Sequence, residues 1–122
     1  MGGKILFQTA RPLGIEFIER HVASVDELQT GMRALRVGDA DAFFEVADAM
    51  VNSQDQLIID TARVKRLPTM FVRPSSVIKA GLTSYGPSLH EVGRLSAKYV
   101  QRILAGAQPK DIPVEGVDKF DW

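Results

Sequence analysis

The chain contains no cysteine. This excludes a disulfide framework, a thiolate nucleophile and any Cys-ligated zinc or iron–sulfur centre. Excess charge of either sign is absent as well: fifteen Lys+Arg balance fifteen Asp+Glu, with a sequence pI near 6.7. A phosphate backbone is therefore not the expected main partner, since nucleic-acid binders concentrate positive charge. Long apolar runs are missing too. Ile5-Leu6-Phe7 after Lys4 falls far short of a signal-peptide core. No stretch nears the roughly 20 apolar residues that span a bilayer, so membrane insertion is not expected. Catalytic signatures fail on inspection. In His90-Glu91-Val92-Gly93-Arg94 an arginine stands where a zincin helix needs its second histidine, and no phosphate-binding glycine loop or nucleophile elbow occurs. His21 and His90 have no sequence-local partner for acid–base work. No enzyme activity and no cofactor are expected.

What is present fits one globular domain. The 122 residues are 45% hydrophobic and 25% charged, which allows a single core and leaves no room for a second full lobe. Residues 15–22 (Ile15-Glu16-Phe17-Ile18 at their head), 42–46 (Ala42-Phe43-Phe44-Glu45-Val46) and 68–72 read as strands, rich in β-branched and aromatic side chains. Between them run helical patterns. Ser24 and Glu27 form a capping box ahead of Leu28, Met32 and Leu35, with Gly38 as the stop. Asn52 or Ser53 caps a second helix carrying Leu57, Ile58, Thr61 and Ala62, which ends by Arg66 because Pro68 disfavours helix before it. A third helix spans 87–105, with Pro87 at its first position and Gly106 beyond its end. The opening 4–13 admits two readings, strand by the propensity of Ile5-Leu6-Phe7 or helix by the spacing of Leu6, Ala10 and Leu13. The tail from Pro113 to Trp122 alternates and reads as extended.

Strands alternating with helices predict an α/β fold: an open parallel sheet flanked by helices on both faces, with 15–22, 42–46 and 68–72 as parallel neighbours. Ligands of such sheets lie beyond the carboxyl ends of the strands, here the loops 47–53, 73–76 and 85–88. Arg73 offers a guanidinium to an anion and Tyr85 a stacking surface. Asp39, Asp41 and Asp48 cluster in sequence; a magnesium-dependent, receiver-like domain built on them is one alternative function, though acidic loop residues ordinarily form turns and caps. Arg63, Lys65 and Arg66 complement a helix C-terminus.

Three ordered runs carry a resemblance: Arg66-Leu67-Pro68-Thr69-Met70-Phe71; Ala80-Gly81-Leu82-Thr83-Ser84-Tyr85-Gly86-Pro87-Ser88-Leu89; and Tyr99-Val100-Gln101-Arg102-Ile103-Leu104-Ala105-Gly106-Ala107-Gln108-Pro109-Lys110-Asp111-Ile112-Pro113-Val114-Glu115, followed by Lys119-Phe120. Their order and spacing resemble the ABC-transporter substrate-binding protein family that includes the tryptophan/tyrosine-uptake type. The resemblance implies a type I periplasmic-binding-protein fold, two α/β lobes closing on a small solute outside the cytoplasm and delivering it to an ABC permease. Residues 1–122 then correspond to the second lobe. The first lobe and the first strand of the second are expected before them, and a final strand and helix after them, so the chain looks like a fragment. Carried over by position, the solute-facing residues are Asp48 with its neighbours Ala47 and Ala49, Ser53, Arg73, Ser75, Ser84 and Tyr85. For an amino-acid solute, aromatic or branched, Asp48 meets the ammonium while Ser53, Ser75 and helix N-termini hold the carboxylate. Leu89, Val92, Leu95, Tyr99, Val100, Ile103 and Leu104 make the helix 87–105 apolar over more than one face. A homodimer through that helix is expected, and an interaction remnant without a solute is the second alternative function.

Overall fold

The structure, a computed structural model, describes residues 2–46 and 48–122. Ala47, expected in the cleft loop, lies outside the described residues. Helix α1 (Gly2–Ala10) leads through a 3₁₀ turn at Arg11–Leu13, closed by Gly14 in the left-handed region at φ 69°. The helical reading of the opening segment therefore holds. Of the spacing Leu6, Ala10 and Leu13, Ala10 is buried at the end of α1 and Leu13 lies exposed in the turn beyond it, and the helix prevails over the strand propensity of Ile5-Leu6-Phe7.

Three short strands form the main sheet in the order β1 (Phe43–Phe44), β2 (Thr69–Phe71), β3 (Thr83–Ser84), all parallel. Phe43 aligns with Thr69 and Met70 with Thr83. The predicted strands at 42–46 and 68–72 are thus neighbours, and the α/β class stands.

The third predicted strand does not form. Residues 15–22 belong to no helix or strand and have no ladder partner. A strand exists only through a neighbour's hydrogen bonds, and β propensity expresses fit to such a half-buried surface. Here the contact is by side chain alone: Phe17 packs edge-on against Phe44, with ring centroids 6.4 Å apart, while Ile15 and Ile18 stay exposed. Among the described residues no strand pairs with the outer edge of β1.

Helix α2 (Val25–Ala34) starts as its capping box requires. Ser24 Oγ accepts from the Glu27 N–H at 3.2 Å, and Glu27 Oε2 accepts from the Ala23 N–H at 2.8 Å. Helix α4 (Asp55–Val64) packs beside it, and Leu28, Met32, Ile58, Ile59 and Phe71 form the buried core. Lys65, at the end of α4, donates to the carbonyls of Arg33 (3.0 Å) and Leu35. It thus satisfies the last carbonyls of α2 as well as standing at its own helix end.

Two expected helix starts need correction. Neither Asn52 nor Ser53 caps α4, because a separate turn, α3 (Ala49–Asn52), precedes it with Asp48 as its cap. Pro87 is not the first helical residue either. Gly86–Pro87 forms strand β4, antiparallel to β5 (Phe120–Asp121), and helix α6 (Leu89–Leu104) follows Ser88. The fixed φ of proline suits an edge strand as well as a helix start. The close approach is enforced at Gly86, where any Cβ would sit 2.0 Å from the Val72 carbonyl oxygen.

No residue of α6 is buried, and two polar contacts tie it to the tail: Tyr99 Oη donates to the Pro113 carbonyl at 2.6 Å, and Lys98 pairs with Glu115 at 3.1 Å. Leu104 is 83% exposed and Val100 55%. The whole chain exposes 9155 Å², against roughly 6,500 Å² for a compact monomer of its mass.

Candidate functional site

Because the three strands run parallel, their carboxyl ends deliver three loops to one edge. The loop after β1 carries Glu45 and Asp48. The residues after β2 lead to Arg73 and the short helix α5 (Pro74–Ile78), and Tyr85 follows β3.

Asp48 is exposed, and its Oδ1 accepts from the N–H groups of Met50 (2.9 Å) and Val51 (3.1 Å), fixing the first turn of α3. Ser53, at the other end of that turn, is exposed and donates to the Met50 carbonyl at 2.6 Å. Arg73, just ahead of α5, is partly exposed. Its Nη2 donates to the Asn52 carbonyl at 3.1 Å and to Asp55 Oδ2 at 3.2 Å, which ties α3 and α4 to the end of β2. Ser75 is exposed in the first turn of α5, whereas Ser84 is buried within β3. The Tyr85 N–H closes on the Phe71 carbonyl at 2.9 Å, and its ring stacks on Phe120 at 5.4 Å with Trp122 tilted at 4.6 Å. The strand edge therefore gathers Asp48, Ser53 and Arg73 around α3, sets Ser75 and Tyr85 beyond them, and keeps Ser84 inside the sheet.

The centre of this edge is a pair of acids that the sequence reading did not single out. Asp55, wholly buried in the first turn of α4, receives Ser76 Oγ at 2.8 Å, Arg73 at 3.2 Å and Lys79 at 3.5 Å, all through Oδ2. Glu45 is 1% exposed, held by its N–H to the Met70 carbonyl at 3.0 Å, and neither carboxylate oxygen has a partner among the described residues. Burial pushes its pKa up to about 7; the negative charges of Asp55 and, less, Asp48 act in the same sense, and Arg73 opposes them. The available signal was a lone acid inside the apolar run Phe43-Phe44-Glu45-Val46. Strand alternation alone could not distinguish a solvent-facing position from a buried one.

The remaining sequence candidates disperse. Asp39 Oδ2 accepts from the Arg36 N–H at 2.8 Å in a turn, His21 lies exposed 3.4 Å from Glu19, and His90 is exposed on α6. Among the described residues no three His, Asp or Glu side chains converge as metal ligands. Two concavities lie away from the strand edge. One, of about 270 Å³, runs between Tyr99, Ile103 and the Ile112–Glu115 segment; the other, of about 420 Å³, lies between His21 and Thr30. The edge itself is a single open wall, with acid and guanidinium groups able to meet a charged, polar ligand and an aromatic surface beside them.

Comparison with known proteins places residues 3–122 in one match, to the family described as ABC transporter substrate binding protein. A solved structure, a conserved domain protein from Vibrio cholerae O1 biovar eltor strain N16961, is similar over 94% of this chain with a TM-score of 0.80 and 24% sequence identity. This chain spans 40% of the length of that one. No curated protein matches.

Proposed function

This chain belongs to the ABC transporter substrate binding protein family, and from that we propose that it forms one wall of a solute-capture cleft serving an ABC importer outside the cytoplasm, with a permease as the downstream partner of the full-length protein. The reading is of a binder without turnover, as is general for a substrate-binding family. What supports it is the position of Asp48, Ser53 and Arg73 about α3 at the carboxyl edge of a parallel sheet, where open α/β folds hold ligands, with Ser75 and Tyr85 in the loops that follow the next strands. Among the described residues no helix is long and apolar enough to cross a membrane.

The solute class proposed is an amino acid with an aromatic or branched side chain. Asp48 uses Oδ1 on the backbone of α3 and offers Oδ2 to an ammonium group. Arg73 spends Nη2 on Asn52 and Asp55 and offers Nη1, with Ser53 and Ser75 alongside, to a carboxylate. Tyr85, backed by Phe120 and Trp122, supplies the apolar surface. Ser84 is assigned a supporting place beneath Tyr85. One wall encloses far less of a ligand than the 70–90% usual for a pocket. Calorimetry of the chain against a panel of amino acids is therefore expected to give dissociation constants near 1 mM, about 4 kcal/mol, weakened by Asp48→Ala and Tyr85→Ala. Absence of heat across the panel, or heat that both substitutions leave unchanged, would remove the reading.

A second proposal concerns α6. Its surface is unburied, and the excess area of the chain is larger than the roughly 800 Å² per partner that a standard interface takes. A two-fold homodimer through the helix covers that surface, with Leu89, Val100, Ile103 and Leu104 at its centre.

A further inference from the structure

Arg73 has a part in solute capture, while Asp55, the acid behind it, has none so far. Asp55 is wholly buried, so its charge has no hydration and depends on the donors around it. Three reach it, all at Oδ2: Ser76 Oγ at 2.8 Å, Arg73 Nη2 at 3.2 Å and Lys79 Nζ at 3.5 Å. Swinging Arg73 away would strand a buried charge, which costs far more than opening an exposed pair. The same Nη2 also donates to the Asn52 carbonyl at 3.1 Å. Both of its N–H bonds lie in the guanidinium plane, so two acceptors on this one nitrogen fix the plane's orientation. Nε is buried. Nη1 makes no hydrogen bond among the described residues and is not one of the buried unpartnered atoms, so it is the nitrogen of this one-third exposed side chain that reaches solvent. Two cations on one carboxylate also leave a single net positive charge in the cluster, a match for one carboxylate of a ligand.

We propose that Asp55 is a positioning residue for solute recognition: by engaging Nη2 it presents Arg73 Nη1, already oriented, to the carboxylate of the solute, and so makes the cleft select ligands that carry this group. The role rests on the capture reading and deepens it. Asp55 itself does not touch the solute. It acts through Arg73, whose long side chain would otherwise give up its rotamer freedom at the moment of binding. Ser76 and Lys79 complete the clamp by compensating the buried charge. Lys79, half-exposed and at the longest distance, serves this balance and is not needed to seat Arg73.

The experiment uses the 122-residue chain with two probes that differ by one carboxylate, L-phenylalanine and phenethylamine, and follows the Arg73 guanidinium by proton–nitrogen NMR at a temperature low enough to slow its rotation. In the free wild type, separate signals are expected for the Nη1 and Nη2 protons. Phenylalanine is expected to shift those of Nη1 and leave those of Nη2 in place, and phenethylamine to shift neither. The double variant Asp55→Asn with Lys79→Met removes the clamp but keeps the single positive charge of the cluster, so a change in its affinity is not a charge effect. It is expected to average the guanidinium signals and to bind phenylalanine about tenfold more weakly, with phenethylamine changed less than about twofold. Lys79→Met alone is expected to keep the resolved signals. Equal loss for both probes in the double variant would mean a merely structural acid and overturns the proposal. Averaged Arg73 signals in the free wild type, or phenylalanine binding that leaves Nη1 unmoved, overturns it as well. If the double variant does not fold, these wild-type spectra decide by themselves. A wild type that binds neither probe removes the capture reading itself, and this role with it.

Discussion

Arg73 and Asp55, eighteen residues apart in the chain, meet through Nη2 and Oδ2 at 3.2 Å, with the carboxylate wholly buried and the guanidinium one-third exposed. A buried ion pair adds little net stability, but removing one partner strands the other's charge. Because the guanidinium is partly hydrated, and Ser76 and Lys79 remain on the carboxylate, the cost of Arg73→Met is expected at about 2 kcal/mol, under the roughly 3–5 kcal/mol of a fully enclosed pair. Lys79→Met, at a longer and more exposed contact, is expected to cost less than about 1 kcal/mol. Urea midpoints of the two variants provide the check; equal losses would mean that Arg73 is not the principal partner.

Stability is expected to depend on pH through Glu45. Its folded pKa, about 7, lies above the ordinary 4.5, so between those values the native state binds more protons than the unfolded one. By linkage, stability then falls as pH rises through that window and levels off above it. The total loss attributable to this residue is about 3 kcal/mol at 1.36 kcal/mol per unit. Denaturant unfolding at half-unit steps should show the slope in the wild type and its absence in Glu45→Gln.

Two glycines are expected to respond oppositely to alanine. At Gly86 the new Cβ would meet the Val72 carbonyl oxygen at 2.0 Å and its Cγ1 at 2.9 Å. Backbone on both sides must move, so a loss of about 3 kcal/mol is expected, with disruption of the β4–β5 junction. At Gly93, inside α6, nothing lies within 4 Å, and the substitution is expected to stabilise by about 0.5–1 kcal/mol through helix propensity. Thermal melts of both variants distinguish the two cases.

Association through α6 is testable by light scattering. The chain is expected at twice its 13.4 kDa at tens of micromolar, and Leu104→Glu or Val100→Glu is expected to return it to the monomer. A monomeric wild type at that concentration would show that another surface or solvent covers the helix.

Much of the architecture was legible in the sequence because it rests on short-range rules. The Ser24–Glu27 cap, the apolar spacing of α2 and α4, and the Phe43–Phe44 and Thr69–Phe71 strands are each decided within about ten residues of chain. What was misread depends on distant partners. Residues 15–22 have the composition of a strand, but no neighbour supplies the ladder. Pro87 satisfies the rule for a helix start and yet is claimed by Phe120, more than thirty residues on. In the candidate site, Arg73 was named for its place after a strand and Asp48 through the family resemblance. Glu45 and Asp55 were missed because nothing local distinguishes an acid under a sheet edge from one facing water; only the positions of Arg73, Ser76 and Lys79 reveal it.

The exposure of α6 bears on how the chain comes apart. A helix with no buried residue, tied to its own tail by the Tyr99 hydroxyl and the Lys98–Glu115 ion pair, has less to lose when it unravels than the core does. The core of Leu28, Met32, Ile58 and Phe71 must open as a unit. The free energies of opening therefore differ across the chain, and melting is not a single two-state step for the isolated monomer. Trp122, the one tryptophan, lies against Tyr85 at the β4–β5 junction. Its fluorescence follows the seam between the two parts, whereas helical circular dichroism sums over both. The two melting curves are expected to separate in the monomer, with ellipticity beginning to fall first.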